Sequence, residues 1–187
     1  GWVGRLDDLP EAKPGPEDHR HLDPVEGVGI GIHLSHAPVN QRVDDSAAVA
    51  GARLIIGVTA HRDLLPGLVP DIERDVSAFL ARLRDAHPGL PLMVMSGLAE
   101  GGDRLVARCA LALGIPVSVP LPLPLDDYVA DFASAESRAE LAALLARSQV
   151  FELPLASGND AESVRRPGAA RDRQYAQMGV YISSHCQ

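Results

Sequence analysis

Leu92-Met93-Val94-Met95-Ser96-Gly97-Leu98-Ala99-Glu100-Gly101-Gly102-Asp103-Arg104-Leu105-Val106 is the stretch on which the reading of this chain turns. An apolar run leads into Ser96-Gly97, and a helical pattern begins just past Gly101 and Gly102. Such a run suits the carboxyl end of a buried parallel strand, the edge at which open α/β sheets place their ligands. Glycine at the following helix start admits a close backbone approach, and free N–H groups there attract anions. Ordinary turn chemistry accounts for the two glycines as well, so both readings stay open.

The same rhythm extends outward. Upstream, Leu54-Ile55-Ile56-Gly57-Val58-Thr59 is a short β-branched run and reads as the first strand of the sheet. A helix follows from about Asp71 to Ala86, with Ile72, Val76, Phe79, Leu80 and Leu83 on one face. His87-Pro88-Gly89 stops it. After Gly102, the residues Leu105, Val106, Cys109, Ala110 and Leu113 form an inward face, and Gly114 is placed to cap the helix.

Residues 115–119 read as the next strand. Pro120, Pro122 and Pro124 do not suit a central ladder, so the segment is expected to leave the sheet there. A short helix or turn over Asp126–Phe132 and a firmer helix over Ala135–Arg147 precede a fourth strand at Gln149–Leu153. Composition makes residues 156–170 a flexible loop. Arg171–Cys186 reads as a helix with Tyr175, Met178, Val180 and Ile182 as its apolar positions. Alternating strands and helices imply an α/β fold: a Rossmann-like, three-layer open parallel sheet with helices on both faces and right-handed crossovers.

Residues 1–50 have a different texture. Pro10, Pro14, Pro16, Pro24 and Pro38 interrupt any long element, leaving an irregular Pro/Gly/Asp-rich arm with room for a strand near Val28–Leu34. His19, His21, His33 and His36 match no familiar metal-ligand spacing and read as solvent-facing or packing residues. Residues 51–187 form the domain. Its rhythm calls for another strand after the last helix, so the chain reads as one module of a longer protein.

Charge and composition narrow the function. The net charge is −8, with four Lys/Arg against nine Asp/Glu in residues 1–50 and thirteen against sixteen in the rest. That balance disfavours a general nucleic-acid binder, which needs a basic face to neutralise phosphates. It leaves room for a local basic pocket. Aromatic residues make up only 4% of the chain, so the core must rest on Leu, Val, Ala and Ile. Cys109 and Cys186 fit neither a disulfide framework nor a metal site, and Cys109 reads as a small core residue. With no apolar run long enough to span a bilayer and no signal-like N-terminus, a cytoplasmic location is expected.

The strand ends gather the candidate chemistry. Thr59, His61 and Arg62 follow the first strand; Ser96, Gly97, Glu100, Gly101 and Gly102 follow the second. A guanidinium beside a glycine-bearing helix start matches phosphate geometry. Arg62 and His61 could equally cap a loop and pair with Asp63. Glu100 could orient a ribose hydroxyl, act as a base or simply favour the helix N-terminus, and Asp103 fits the last of these roles best. Arg173, Gln174 and Tyr175 open the last helix within reach of a ligand, although packing also accounts for Tyr175. No dinucleotide-binding, P-loop or nucleophile-elbow motif occurs, and no nucleophile–base pair is evident, so no catalytic residue is assigned.

Three motifs carry a resemblance. Ile56-Gly57-Val58-Thr59-Ala60-His61-Arg62-Asp63-Leu64 resembles the G-V-T-G-H-R opening of bacterial SLOG-type domains. Ser96 to Asp103 resembles their S-x-L-A-E-G-A-D-R signature, and Arg173-Gln174-Tyr175 with Gly179 and Tyr181-Ile182 resembles their late Q-Y-x-x-x-G-x-Y-I helix. The likeness spans about residues 53–187. The wider superfamily includes the DNA-processing protein A family, whose S-G-L-A-x-G-I-D turn is similar to Ser96–Asp103, and the LOG/lysine-decarboxylase-like phosphoribohydrolases.

The resemblance implies binding of a nucleotide or nucleotide-derived ligand, of the ADP-ribose, NAD or cyclic-nucleotide class. It further implies a sensor acting on an effector domain in the same polypeptide, in bacterial signalling or defence, with a homodimer as the family expectation. Its site residues would be Gly57, Thr59, His61, Arg62, Ser96, Gly97, Glu100, Gly101, Gly102, Arg173 and Tyr175. Ala60 and Gly102 depart from the family pattern, and the P-G-G-x-G-T-x-x-E motif of LOG catalysis is missing. A sensor is therefore favoured over the alternatives: an N-glycosidic hydrolase with Glu100 activating water, or a single-stranded DNA binder. The scarcity of aromatic platforms weighs against the last. No metal and no membrane contact is expected.

Overall fold

A computed structural model describes residues 31–33 and 53–186. Within them lie strands β1 (Gly31–His33), β2 (Leu54–Thr59), β3 (Leu92–Met95), β4 (Val117–Leu121) and β5 (Gln149–Glu152). The helices are α1 (Val69–Ala86), α2 (Gly102–Ala112), α3 (Leu125–Val129), α4 (Ala135–Leu145) and α5 (Ala169–His185). The strands line up in chain order as one sheet. Four of them, β2 to β5, are parallel, as the alternating pattern implies. β1 falls inside the stretch expected to hold a strand but joins the β2 edge antiparallel, with Gly31 opposite Thr59. The rest of the N-terminal arm, including His19, His21 and His36, lies outside the described residues.

Alternation along each strand sorts the side chains into two cores. Ile56, Val58, Val94, Val117, Val119 and Leu121 face the layer built by α1, α2 and α4, whose inward residues include Ile72, Leu80, Leu105, Ala110, Leu141 and Leu144. The opposite face is covered by α5, through Ile182 and Cys186 against Met95, with Ile55, Met178 and Tyr181 beside them. The fold is thus α/β, Rossmann-like and three-layered, with helices on both faces of an open sheet.

Pro122 and Pro124 follow the end of β4 as expected, but Pro120 does not. Pro120 lies inside β4, opposite Phe151. Ser118 gives its carbonyl to Ser96 N–H at 3.1 Å, while Leu121 gives its carbonyl to Leu153 N–H at 2.9 Å, so even-numbered residues of β4 point towards β3. The β3–β4 ladder ends at Ser118, two residues earlier, and the missing N–H of Pro120 therefore faces no waiting carbonyl.

Residues 156–170 contain a 3₁₀ turn at Ser163–Arg165, and Val164 is fully buried. One further expectation needs correction. Val180 is 66% exposed, because the face of α5 that meets the sheet runs through Met178, Ile182 and Cys186 instead.

α5 can lie flat on the sheet because glycine sits beneath it. A Cβ on Gly57 would overlap Cys186 Sγ and come within 2.9 Å of Ile182 Cγ2; one on Gly97 would stand 2.8 Å from Met178 Cε. Gly57→Ala is expected to lower stability by about 1–3 kcal/mol, read by denaturant unfolding, and Gly57→Ala/Cys186→Ala to recover part of it. An unchanged single variant would mean that α5 is not seated there.

Candidate functional site

At the carboxyl edge of the sheet, the β2 exit loop and the β3–α2 turn are locked together. Gly101 adopts φ 82°, a left-handed conformation that glycine enters readily. A Cβ there would run into the carbonyl of Arg62, and one on Gly102 would overlap the Ala60 methyl. Gly102 N–H donates to His61 O at 3.0 Å. The close approach that these glycines permit is therefore made by the Ala60–Arg62 loop, and the one permitted by Gly57 and Gly97 is made by α5.

Ser96 and Asp103 form the floor. Ser96 is fully buried and Asp103 is 6% exposed; Ser96 Oγ donates to Asp103 Oδ2 at 3.1 Å and accepts from Leu98 N–H at 3.1 Å. Leu98, also buried, is held at φ 57°, a conformation that costs any residue with a Cβ roughly 1–2 kcal/mol. Arg104 Nε fixes its carbonyl at 3.0 Å. Tyr128 O–H closes the other side by donating to Gly97 O at 2.6 Å.

Asp103 has no direct ion pair among the described residues, and burial pushes its carboxyl up to about 6. The Ser96 hydroxyl, the backbone amides of Ala60 and Ala99, and the Arg62 charge all oppose that shift without cancelling it. Asp103 therefore does more than favour a helix N-terminus; it ties the start of α2 to Ser96 at the end of β3. Burial likewise raises the Tyr128 hydroxyl above its ordinary value, reinforced by the Asp103 charge.

Glu100 is half-buried, and its carboxylate accepts from the Ser137 hydroxyl in the first turn of α4. Arg104 Nη1 donates to Ser137 O at 2.9 Å and to Glu140 Oε2 at 3.1 Å, and Arg108 joins Glu140 to Glu73. Arg104 is 1% exposed, and its Nη2 has no hydrogen-bond partner among the described residues. The guanidinium carbon lies 4.6 Å from the centre of the Phe132 ring, whose face attracts the cation.

Of the residues singled out by sequence, Thr59, His61, Arg62, Ser96, Gly97, Glu100, Gly101 and Gly102 converge on this edge. Thr59, His61 and Arg62 are the exposed members, and Ser96, Gly97 and Gly102 are buried. Gly57 lies under α5. Tyr175 borders the edge, its ring 6.2 Å from that of Tyr128 and its hydroxyl on Asp131. Arg173 turns away, donating to Asn159 Oδ1 at 2.7 Å, while buried Gln174 pins the 154–159 loop through Pro154 O and Ala156 N–H.

Sequence reasoning did not single out Tyr128, Arg104 or Ser137. Their partners lie 31, 6 and 37 residues away along the chain, and no local spacing marks such pairs. Among the described strands the order never reverses, so the edge has no switch-point cleft between diverging strands, and its relief comes from loops. No group of metal-ligating side chains occurs among the described residues. No helix among them is long and apolar enough to cross a membrane. An open cavity of about 360 Å³, bordered by Arg84, His87, Leu90 and Ile115, lies at the opposite end of the strands. No protein-family model matches the chain, and neither does any curated protein.

The raised carboxyl of Asp103 fixes a sign. Its folded value of about 6 exceeds the ordinary 3.8, so the group's contribution to stability is fullest at low pH and is lost as pH rises through about 6. Wild type is expected to gain about 1 kcal/mol relative to Asp103→Asn between about pH 7 and about pH 5. Denaturant midpoints across that range check it; parallel curves would assign the carboxyl an ordinary value.

Proposed function

We propose that the carboxyl edge binds a nucleotide or nucleotide-derived anion, and that the domain is a SLOG-type sensor for such a ligand. The observation that supports this best is the seating of the Ala60–Arg62 loop. It presents Arg62 and His61, with Thr59 beside them, on a buried Ser96–Asp103 floor. A guanidinium carried on a seated loop can engage phosphate oxygens in two parallel hydrogen bonds, the loop backbone needing little further ordering on binding. Thr59 supplies a hydroxyl and His61 a ring for stacking or hydrogen bonding.

The ligand classes that the resemblance implies are ADP-ribose, NAD and cyclic nucleotides, and the readout would pass to an effector in the same bacterial polypeptide, in the cytoplasm. A hydrolase using Glu100 gains less support, since that carboxylate already accepts from Ser137. Single-stranded DNA binding gains less from an edge whose aromatic groups, Tyr128 and Tyr175, are turned onto Gly97 and Asp131.

Thermal melts with ADP-ribose, NAD and cyclic mononucleotides test the reading. A ligand that binds only the folded state adds about 2.7 kcal/mol at a hundredfold excess over Kd. One class is expected to raise Tm in proportion to the logarithm of its concentration, with at least a tenfold weaker response in Arg62→Ala. Flat melts across the whole panel, or a shift indifferent to Arg62, would overturn it.

A further inference from the structure

Two opposite charges flank the turn between β3 and α2. On the β2 side, Arg62 is exposed on the loop against which Gly101 and Gly102 pack. On the α4 side, Glu100 reaches across to Ser137, whose hydroxyl donates to Oε1. The second oxygen, Oε2, has no hydrogen-bond partner among the described residues. Arg104 Nη2 is the one buried side-chain nitrogen or oxygen left unpartnered among them, so Glu100 Oε2 is open to solvent. We infer that this open oxygen reads a hydroxyl of the ligand, so that the edge selects an anion joined to a hydroxyl-bearing sugar over the same anion without one. The inference rests on the anion-binding reading of the edge and adds Glu100 to it as a specificity-determining residue.

The carboxylate is set in place before any ligand arrives. Ser137 Oγ accepts from Arg104 Nη1 at 2.9 Å while it donates to Glu100, so its proton has one direction to point. Arg104 is itself fixed by Leu98 O, Ser137 O and Glu140, and Arg108 carries the contacts on to Glu73. Three helices, α1, α2 and α4, thus stand behind one side chain, which has little freedom left to lose on binding. The start of α4 does not account for the arrangement. Ser134 Oγ already caps that helix, accepting from Ser137 N–H at 3.0 Å.

Charge decides what each flank takes. A carboxylate has no proton to give and pairs only with a donor. It repels phosphate, which confines the anionic end of a ligand to the Arg62 flank. Arg104 stands behind the Ser137 hydroxyl and already offers positive charge there, so a neutral O–H is enough to complete Oε2. A hydroxyl given to a carboxylate makes a charge-assisted hydrogen bond, stronger than one between neutral groups. An analogue without that hydroxyl leaves Oε2 facing a group with nothing to donate, which is how a polar site rejects it.

AMP and dideoxy-AMP carry the same charge and base and differ only in their sugar hydroxyls. Calorimetric titration of the full chain is expected to give dideoxy-AMP a Kd about tenfold higher, the worth of one hydrogen bond to a charged group. Glu100→Ala should bring AMP down to the level of dideoxy-AMP, and Arg62→Ala should weaken both by the same factor. Equal wild-type affinities that both depend on Arg62 would overturn the hydroxyl reading and leave the anion reading standing. That comparison holds even if Glu100→Ala folds poorly. A preference for AMP that survives Glu100→Ala would also overturn the inference. So would a failure of both nucleotides to bind, and the melts with ADP-ribose, NAD and cyclic mononucleotides then decide the anion reading on their own.

Discussion

The buried carboxyl of Asp103 is the constraint around which the carboxyl edge is assembled. Moving a charge out of water is unfavourable unless it is hydrogen-bonded, and here the Ser96 hydroxyl donates to it from the end of β3. That bond ties β3 to the start of α2, while the Gly102 N–H on His61 O ties the same helix start to the exit of β2. The left-handed backbone of Leu98 and the positive φ of Gly101 follow from the same demand, since the turn must bring Ser96 and Asp103 face to face. Strain at a buried residue persists only where its surroundings over-determine it, and Leu98 is tied at both its N–H and its carbonyl.

Close packing without side chains is the second theme. Gly57 and Gly97 admit α5 to one face, and Gly101 and Gly102 admit the exit loop to the other side of the edge. Glycines at the carboxyl ends of parallel strands invite a ligand-cradle reading. Here each is met by another part of the protein, which leaves side chains rather than bare backbone to face solvent. Arg62 and His61 consequently matter more to any ligand than the glycines that position them.

The outer layer carries a different kind of order. Exposed pairs such as Arg74 with Asp71 contribute little, because water screens them and long side chains must be immobilised. Arg104 belongs to another class: buried, shared between the Leu98 carbonyl, Ser137 and Glu140, and stacked over Phe132. It binds the strained turn to α4, so that Glu100, beside the same helix start, is held as part of the scaffold. Removing a partner from such a buried cation leaves an uncompensated charge, which is far more damaging than breaking a surface pair.

The strand and helix pattern was legible because burial imposes period: Ile72, Val76, Phe79, Leu80 and Leu83 mark the α1 face, and the apolar runs at 54–59 and 92–95 mark buried strands. Gly114 announces the end of α2, as its φ of 72° requires. The gathering of Thr59, His61 and Arg62 with Ser96 to Gly102 was legible too, since parallel strands bring their carboxyl ends to one edge. What sequence alone did not yield was the antiparallel β1, the accommodation of Pro120 and the outward turn of Val180. Each depends on which neighbour lies alongside, and local composition carries no record of that. The same holds for the site: residue type marked Asp103 as an acid near a helix start, but its bond to Ser96 and the burial that raises its carboxyl exist only in the folded chain. Periodicity is a property of one segment and can be read from it; desolvation is a property of everything packed around an atom, and only tertiary structure decides it.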